Sequence, residues 1–172
     1  AERPGPKVAS VRSDPLVALS AKIAERRKTA HLVVAGLLFV GVVWTLLATC
    51  QSVGYARDEG FYFNAARRYA EWFHVLGTER GLALRREVVD ASFSVNHEHP
   101  AFVKSLFALS YLLLQKDRAL FAHEGTSFRF PAMLLAAVMV SVTYLWGAKR
   151  GGFVSGIAAA LSLFFMPRIF FH

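Results

Sequence analysis

Residues 32–51 form a run of twenty residues without a charged side chain, and eleven of them are Leu, Val, Ile or Phe. At about −0.3 to −0.6 kcal/mol each, these eleven side chains favour membrane insertion by roughly 3 to 7 kcal/mol. A helix of twenty apolar residues also matches the thickness of the hydrocarbon core of a bilayer. The sequence therefore predicts a transmembrane helix over residues 31–53.

The composition agrees with a membrane protein, since 55% of the residues are hydrophobic and the mean hydropathy is +0.38. The net charge of +8 does not indicate nucleic acid as a partner, because the sequence contains no nucleic-acid-binding motif. Seven of the twenty Lys and Arg residues fall in residues 1–30, and Arg26-Arg27-Lys28 directly precede the apolar run. The positive-inside tendency then predicts a cytoplasmic basic tail over 1–30, touching anionic membrane lipid, and an extracytoplasmic loop over 54–99. Residues 15–29 are either an amphipathic surface helix or an unstructured basic segment.

An amphipathic helix is predicted inside the extracytoplasmic loop, over about 59–76. Its apolar face follows the three-four spacing of a helix, and arginines lie on the other face. Such a helix lies in the membrane interface or packs on a soluble domain. Residues 77–95 contain two glycines and mixed charges, which predict a loop.

Three further apolar runs predict transmembrane helices over 100–116, 129–148 and 151–171, with a loop over 117–128. The first run is short, and two topologies follow from it. If residues 100–116 do not cross the membrane, Lys149-Arg150 are cytoplasmic; if they cross, this pair is extracytoplasmic, against the positive-inside tendency. A full crossing is preferred, because Lys116 and Arg118 then face the cytoplasm. The predicted fold class is an all-α, polytopic integral membrane protein, and the sequence is expected to be the N-terminal part of a longer chain.

Two groups of ionisable residues lie where the extracytoplasmic loop meets the apolar runs. Asp58 and Glu59 follow the first run, and ionisable groups held at a membrane boundary are usually functional. An ionised carboxylate at Asp58 can remove a proton from an acceptor hydroxyl or amine, and the alternative is simple N-capping of the helix. His97, Glu98 and His99 precede Pro100 and are competent ligands for a divalent metal ion, although their spacing matches no standard zinc motif. The alternative is a solvated polar turn.

Several cationic side chains are expected near the membrane interface, where they bind phosphate or anchor helices. These candidates are Arg57, Arg67, Arg68, Lys104 and Arg129. Lys104 is also expected to extend towards the interface from within its apolar run.

The order of these motifs resembles that of the polyprenyl-phosphate-dependent glycosyltransferases of the GT-C fold. The similarity is closest to the group that contains protein O-mannosyltransferases and aminoarabinose (lipid A) transferases. The matching stretches are Arg57-Asp58-Glu59-Gly60-Phe61-Tyr62, Asn96-His97-Glu98-His99-Pro100 and Ser127-Phe128-Arg129-Phe130-Pro131. The resemblance implies a bacterial inner-membrane enzyme that transfers a sugar from a polyprenyl-phosphate carrier to an extracytoplasmic protein, lipid or glycan, with inversion at the anomeric carbon.

The resemblance also implies roles for individual residues. Asp58 would be the general base or orient the acceptor, and Glu59 would be its paired acid. Glu98 would help to hold a divalent metal or act as a second acid, and His99 would contact the carrier phosphate. Arg129 would have a structural or phosphate-related role. Two functions of other classes stay open, a non-catalytic membrane subunit or assembly factor and a component of a transporter or channel.

Overall fold

A computed structural model describes residues 15–52, 54 and 58–167, and every regular element in them is helical. The predicted all-α fold class is therefore confirmed for the described part of the chain. The elements in chain order are α1 (Pro15–Thr49), α2 (Glu59–Thr78), α3 (Arg80–Ala83), α4 (Arg86–Phe93), α5 (Ala101–Ser110), a short π-helix (Tyr111–Lys116) and α6 (Glu124–Phe164).

Two of the described helices, Leu16–Thr49 and Glu124–Phe164, are long and apolar enough to cross a membrane. α1 has 35 residues and is therefore about 52 Å long. It joins the predicted surface segment over 15–29 to the predicted transmembrane segment in one continuous helix. The alternative of an unstructured basic segment over 15–29 is wrong, because these residues belong to the first turns of α1.

α6 consists of two helical segments that fold back on each other at Gly152. Gly152 has φ 80° and ψ −174°, a backbone conformation that residues with a Cβ rarely adopt. In one straight helix Gly147 and Gly156 would lie about 13 Å apart along the axis. Here a Cβ built on Gly147 would lie 3.0 Å from the Cα of Gly156, so the two segments are in close contact. Two separate helices were predicted in this region, and the structure divides them at Gly152; residues 168–171 of the second lie outside the described residues.

α1 and the first segment of α6 pack antiparallel. At one end the His31 Nδ1 and Tyr144 Oη atoms are 2.8 Å apart, and at the other the Gln51 amide donates to Thr126 Oγ1 at 2.7 Å. Small and apolar side chains fill the contact between these ends, among them Ala35, Val42, Leu46, Met133, Ala137 and Val140. The antiparallel register places residues 149–150 beside the basic residues 26–28.

This packing bears on the prediction that residues 100–116 cross the membrane, which stays a prediction. Because Gln51 contacts Thr126, the chain between them leaves and returns at the same end of the α1–α6 pair. The described residues of that stretch include no helix long and apolar enough to cross. α5 and the π-helix together span 16 residues, about 24 Å, which is less than the roughly 30 Å of a hydrocarbon core. If α1 and α6 cross a bilayer, residues 100–116 cannot, and Lys149-Arg150 then lie on the side of Arg26-Arg27-Lys28, in accordance with the positive-inside tendency.

α2, α4, α5 and the start of α6 enclose a second core at this end of the molecule. α2 confirms the helix predicted over about 59–76, and its buried face contains Phe63, Ala66 and Tyr69. The ring of Phe63 stacks on Phe128 of α6 with centroids 4.8 Å apart, and Tyr69 packs on Phe93 of α4 at 4.3 Å. The predicted loop over 77–95 is wrong, because α3 and α4 occupy most of it. The Nε1 atom of Trp72 donates to the α3 carbonyl of Ala83 at 2.9 Å, which ties this region to α2.

Pro131 lies inside α6 and has no N–H to donate to the carbonyl of Ser127 one turn earlier. The Ser110 hydroxyl of α5 donates to that carbonyl instead, at 2.6 Å, and both serines are buried. An unsatisfied buried carbonyl is unfavourable, so Ser110 compensates for the proline and fixes α5 against α6.

We expect Ser110→Ala to lower the free energy of unfolding by about 1–3 kcal/mol, since it leaves the Ser127 carbonyl without this donor. In a Pro131→Ala background the new N–H can bind the Ser127 carbonyl, and the same serine substitution is expected to cost less than about 1 kcal/mol. Chemical unfolding in detergent measures both values, with Ser105→Ala as a surface control. Equal costs in the two backgrounds would contradict this account of the contact.

Candidate functional site

Most of the predicted site residues meet where four helix ends converge: the end of α1 and the starts of α2, α5 and α6. The loop before α5 contributes Asn96, Glu98 and His99, and α2 contributes Asp58, Glu59 and Tyr62. Arg129 comes from the second turn of α6. The structure thus brings together residues that are up to 71 positions apart in the sequence, counted from Asp58 to Arg129.

Arg129 and Glu59 form a largely buried, two-pronged ion pair. The Arg129 Nε atom donates to Glu59 Oε1 at 2.8 Å, and Nη2 donates to Oε2 at 2.6 Å, while the two side chains are only 13% and 18% exposed. The guanidinium also donates to the carbonyls of Cys50 at 2.8 Å and Gly54 at 3.0 Å. Arg129 therefore binds the carbonyl at the end of α1 and the carboxylate at the start of α2 at once. In this geometry both residues hold the end of α1 against the start of α2. Of the two roles expected for Arg129, structural or phosphate-related, the contacts favour the structural one.

Asp58 precedes α2 at the N-cap position, but its side chain makes no capping hydrogen bond. The simple capping alternative for this residue is therefore wrong. Its exposed carboxylate lines a cavity of about 250 Å³ together with Asn96, Glu98 and His99. Asp58 thus stands at an open polar site, where a carboxylate can accept a proton from a bound molecule.

A second cavity, of about 300 Å³, lies beside the first and shares Tyr62 and His99 with it. Their rings pack at 5.5 Å between centroids. The walls of this second cavity are mostly apolar, and Phe63, Val103, Phe107 and Ala132 belong to them. Glu59, Lys104 and Arg129 line it as well. A molecule with a polar end and an apolar chain matches the pair of cavities.

Lys104 is fully buried in the first turn of α5, and its extension towards the membrane interface stays a prediction. Its ammonium donates to the backbone carbonyl of Asn96 and, at 3.3 Å, to Asn96 Oδ1. It also lies 5.6 Å from the centroid of the Tyr69 ring, at a distance typical of a cation–π contact. Burial lowers the pKa of the Lys104 ammonium, and the nearby carboxylate of Glu98 acts in the opposite direction.

The metal prediction gains no support from the geometry. His97 is exposed, its Nδ1 atom lies 3.2 Å from the carbonyl oxygen of Ser94, and it is not among the residues that line either cavity. Glu98 lines the polar cavity, yet residues 15–52, 54 and 58–167 contain no group of three or more His, Cys, Asp and Glu side chains that could hold an ion. A metal at Glu98 and His97 stays a prediction. Arg57 lies outside the described residues, so its predicted contact with phosphate stays a prediction as well.

Two features of the site were not assigned from the sequence. Asn96 was part of a motif without a role of its own, but it has φ 54° and accepts two hydrogen bonds from Lys104. Asparagine tolerates this left-handed backbone better than most residues, and that is the only sequence signal for the turn. The apolar cavity was also missed, since Val103 and Phe107 were taken to be part of a transmembrane helix.

Comparison of the chain with protein-family models, with curated proteins and with solved structures finds no match, so the geometry of these two cavities has to support any proposal of function.

Proposed function

We propose that this chain belongs to a membrane glycosyltransferase that transfers a sugar from a polyprenyl-phosphate carrier to an extracytoplasmic acceptor, with inversion at the anomeric carbon. The observation that carries the proposal is the arrangement of the two adjacent cavities. The carboxylate of Asp58, which makes no capping hydrogen bond, lines the polar cavity, and the apolar cavity lies next to it and shares His99 and Tyr62 with it. A lipid-linked sugar has the matching chemistry, with a polar sugar phosphate at one end and an apolar chain at the other.

The carrier is proposed to place its first isoprene units against Val103, Phe107 and Ala132, and its phosphate beside His99. The imidazole of His99 is exposed and borders both cavities, so it can donate a hydrogen bond to a phosphate at their junction. Lys104 acts as a fixed charge at the wall, since its hydrogen bonds go to Asn96, and its positive charge favours the anionic phosphate. The charge of Arg129 is balanced by Glu59.

The reaction that we propose is a direct displacement. The acceptor hydroxyl oxygen attacks the anomeric carbon from the face opposite the carrier, and the bond between that carbon and the phosphate oxygen breaks. Asp58 takes the proton of the hydroxyl, and polyprenyl phosphate departs as an anion that needs no strong acid. Glu98, which lines the same cavity as Asp58, orients the acceptor.

In this proposal α1 crosses the bacterial inner membrane with its N-terminus in the cytoplasm, and α6 crosses back. The basic residues 26–28 and 149–150 lie together at the cytoplasmic end. The site is then at the extracytoplasmic surface, with α5 and the π-helix within the outer leaflet. Exposed apolar side chains on this short helical unit, namely Phe102, Val103 and Leu113, agree with contact to lipid.

The test is transfer of a radiolabelled sugar from polyprenyl-phosphate donors by the full-length protein in lipid nanodiscs. We expect His99→Ala to raise the KM for the donor about 10-fold or more, because it loses a charge-assisted hydrogen bond to the phosphate. The matched control is His97→Ala, which is expected to leave the KM for the donor unchanged, because His97 lines neither cavity.

Two outcomes would contradict the proposal. One is the absence of transfer with any polyprenyl-phosphate sugar. The other is an equal rise of the donor KM in both histidine variants. Loss of transfer together with a stoichiometric complex formed through residues 54–100 would favour the non-catalytic subunit instead.

A further inference from the structure

We propose that Lys104 and Asn96 are positioning residues, which hold the Glu98 carboxylate at the polar cavity that Asp58 also lines. The inference rests on the proposed function, and it assigns roles to a buried cation and to an amide that act through Glu98. The carrying observation is a chain of hydrogen bonds from Lys104 through Asn96 to Glu98.

The first step in this chain is the contact between Lys104 and the turn at Asn96. The Lys104 side chain leans towards the N-terminus of α5, as side chains in helices do, and so reaches the loop that precedes the helix. Its ammonium binds both the backbone carbonyl and the side-chain oxygen of Asn96. One cation therefore fixes the backbone and the side chain of a residue that has φ 54°.

The second step is the contact between Asn96 and Glu98. An ammonium group only donates, so the oxygen of the Asn96 amide must face Lys104 and its nitrogen must face away. That nitrogen donates to Glu98 Oε1 at 3.3 Å. The orientation of the Asn96 amide is thus set on one side by Lys104, and its donor is directed at the carboxylate that lines the cavity with Asp58.

The third step concerns the cost of this arrangement. A buried ammonium is unfavourable for folding, and an apolar side chain of similar size at the same place is often neutral or stabilising. Lys104 is 0% exposed, its hydrogen bonds within the described part of the chain go to Asn96, and the Tyr69 ring faces it from α2. The buried ammonium is therefore better explained by its role in fixing the conformation of the loop at Asn96 than by a contribution to the stability of the fold.

The first experiment does not depend on activity. Asn64 and Asn96 are the two asparagines of this sequence, and Asn64 is exposed on α2. In protein labelled with ¹⁵N-asparagine, Glu98→Gln and Lys104→Met are each expected to shift the side-chain amide resonance of Asn96 and to leave that of Asn64 in place. An Asn96 resonance that stays unchanged in both variants would overturn the proposal, whatever the enzyme does.

The second experiment is a double-mutant cycle on sugar transfer. Asn96→Asp keeps an oxygen for Lys104 and tolerates the left-handed backbone, but it removes the donor to Glu98 and places a like charge beside it. We expect it to lower turnover about 10-fold or more in the wild-type background, with unchanged thermal stability. In the Glu98→Gln background the further loss is expected to be less than about 2-fold, because Asn96 acts through Glu98.

The outcomes separate this inference from the proposed function. An equal loss in both backgrounds, or full turnover in Asn96→Asp, would overturn the positioning role while sugar transfer by the wild type still supports the enzyme. If the wild type transfers no sugar, the proposed function fails, and the resonance experiment still decides whether Lys104 and Glu98 orient Asn96.

Discussion

Asp58→Asn is expected to lower the turnover of sugar transfer by about 10²- to 10⁴-fold, which is the usual contribution of a positioned general base. Asparagine has nearly the same shape but cannot take the proton of the acceptor hydroxyl. The Asp58 side chain is exposed and makes no capping hydrogen bond, so the substitution is expected to leave α2 intact. The measurement is the single-turnover rate with donor prebound, since it isolates chemistry from carrier binding.

The matched control is Asp90→Asn on α4, an exposed acid paired with Arg86 at 3.5 Å and not among the residues that line either cavity. Its turnover is expected to equal that of the wild type. Donor affinity is expected to stay the same in both aspartate variants. Normal turnover in Asp58→Asn would show that residue 58 is not the base, and an equal loss in Asp90→Asn would point to a general effect of charge.

Arg129→Met is expected to lower the free energy of unfolding by about 3–5 kcal/mol, as the loss of one member of a buried ion pair does. The substitution removes two hydrogen bonds to Glu59 and the donors to the carbonyls of Cys50 and Gly54. Chemical unfolding in detergent, followed by circular dichroism, measures the change.

Two controls separate the buried pair from charge in general. The double variant Glu59→Gln/Arg129→Met is expected to be more stable than Arg129→Met alone, because it no longer buries the carboxylate. Arg67→Met removes a pair with Glu124 whose side chains are 48% and 39% exposed, and it is expected to cost about 1 kcal/mol or less. Equal stabilities of the Arg67 and Arg129 variants would contradict the structural role of Arg129.

Much of the fold follows from local patterns. The uncharged run over 32–51 and the three-four spacing over 59–76 were sufficient to predict the second half of α1 and helix α2, because both depend on side chains within one helix. The role of residues 100–116 was not predictable in this way. A short apolar run has the same composition whether it crosses a bilayer or returns within one leaflet, and only a distant contact such as that between Gln51 and Thr126 bears on the choice.

The site was predicted less completely than the fold. Asp58, Glu98 and His99 were identified from the motifs, and the structure brings them to one cavity. The pairing of Glu59 with Arg129 was not predicted, because it depends on how α2 packs on α6, 70 residues later in the chain. Lys104 was expected at the interface. Its burial against Tyr69 and its hydrogen bond to Asn96 depend on how α5 packs on α2 and on the preceding loop, so the sequence did not indicate them.

The two-pronged contact of Arg129 has a consequence for the choice of acceptor. It links the last turn of α1 to Glu59, and Asp58 is the neighbouring residue. If α1 crosses the bilayer, the height of the Asp58 carboxylate above the acyl chains is set by the anchoring of that helix and does not vary with the rest of the loop. If Asp58 is also the base of the proposed transfer, an acceptor presents its hydroxyl at one fixed depth in the headgroup layer, which favours membrane-bound molecules over freely diffusing ones.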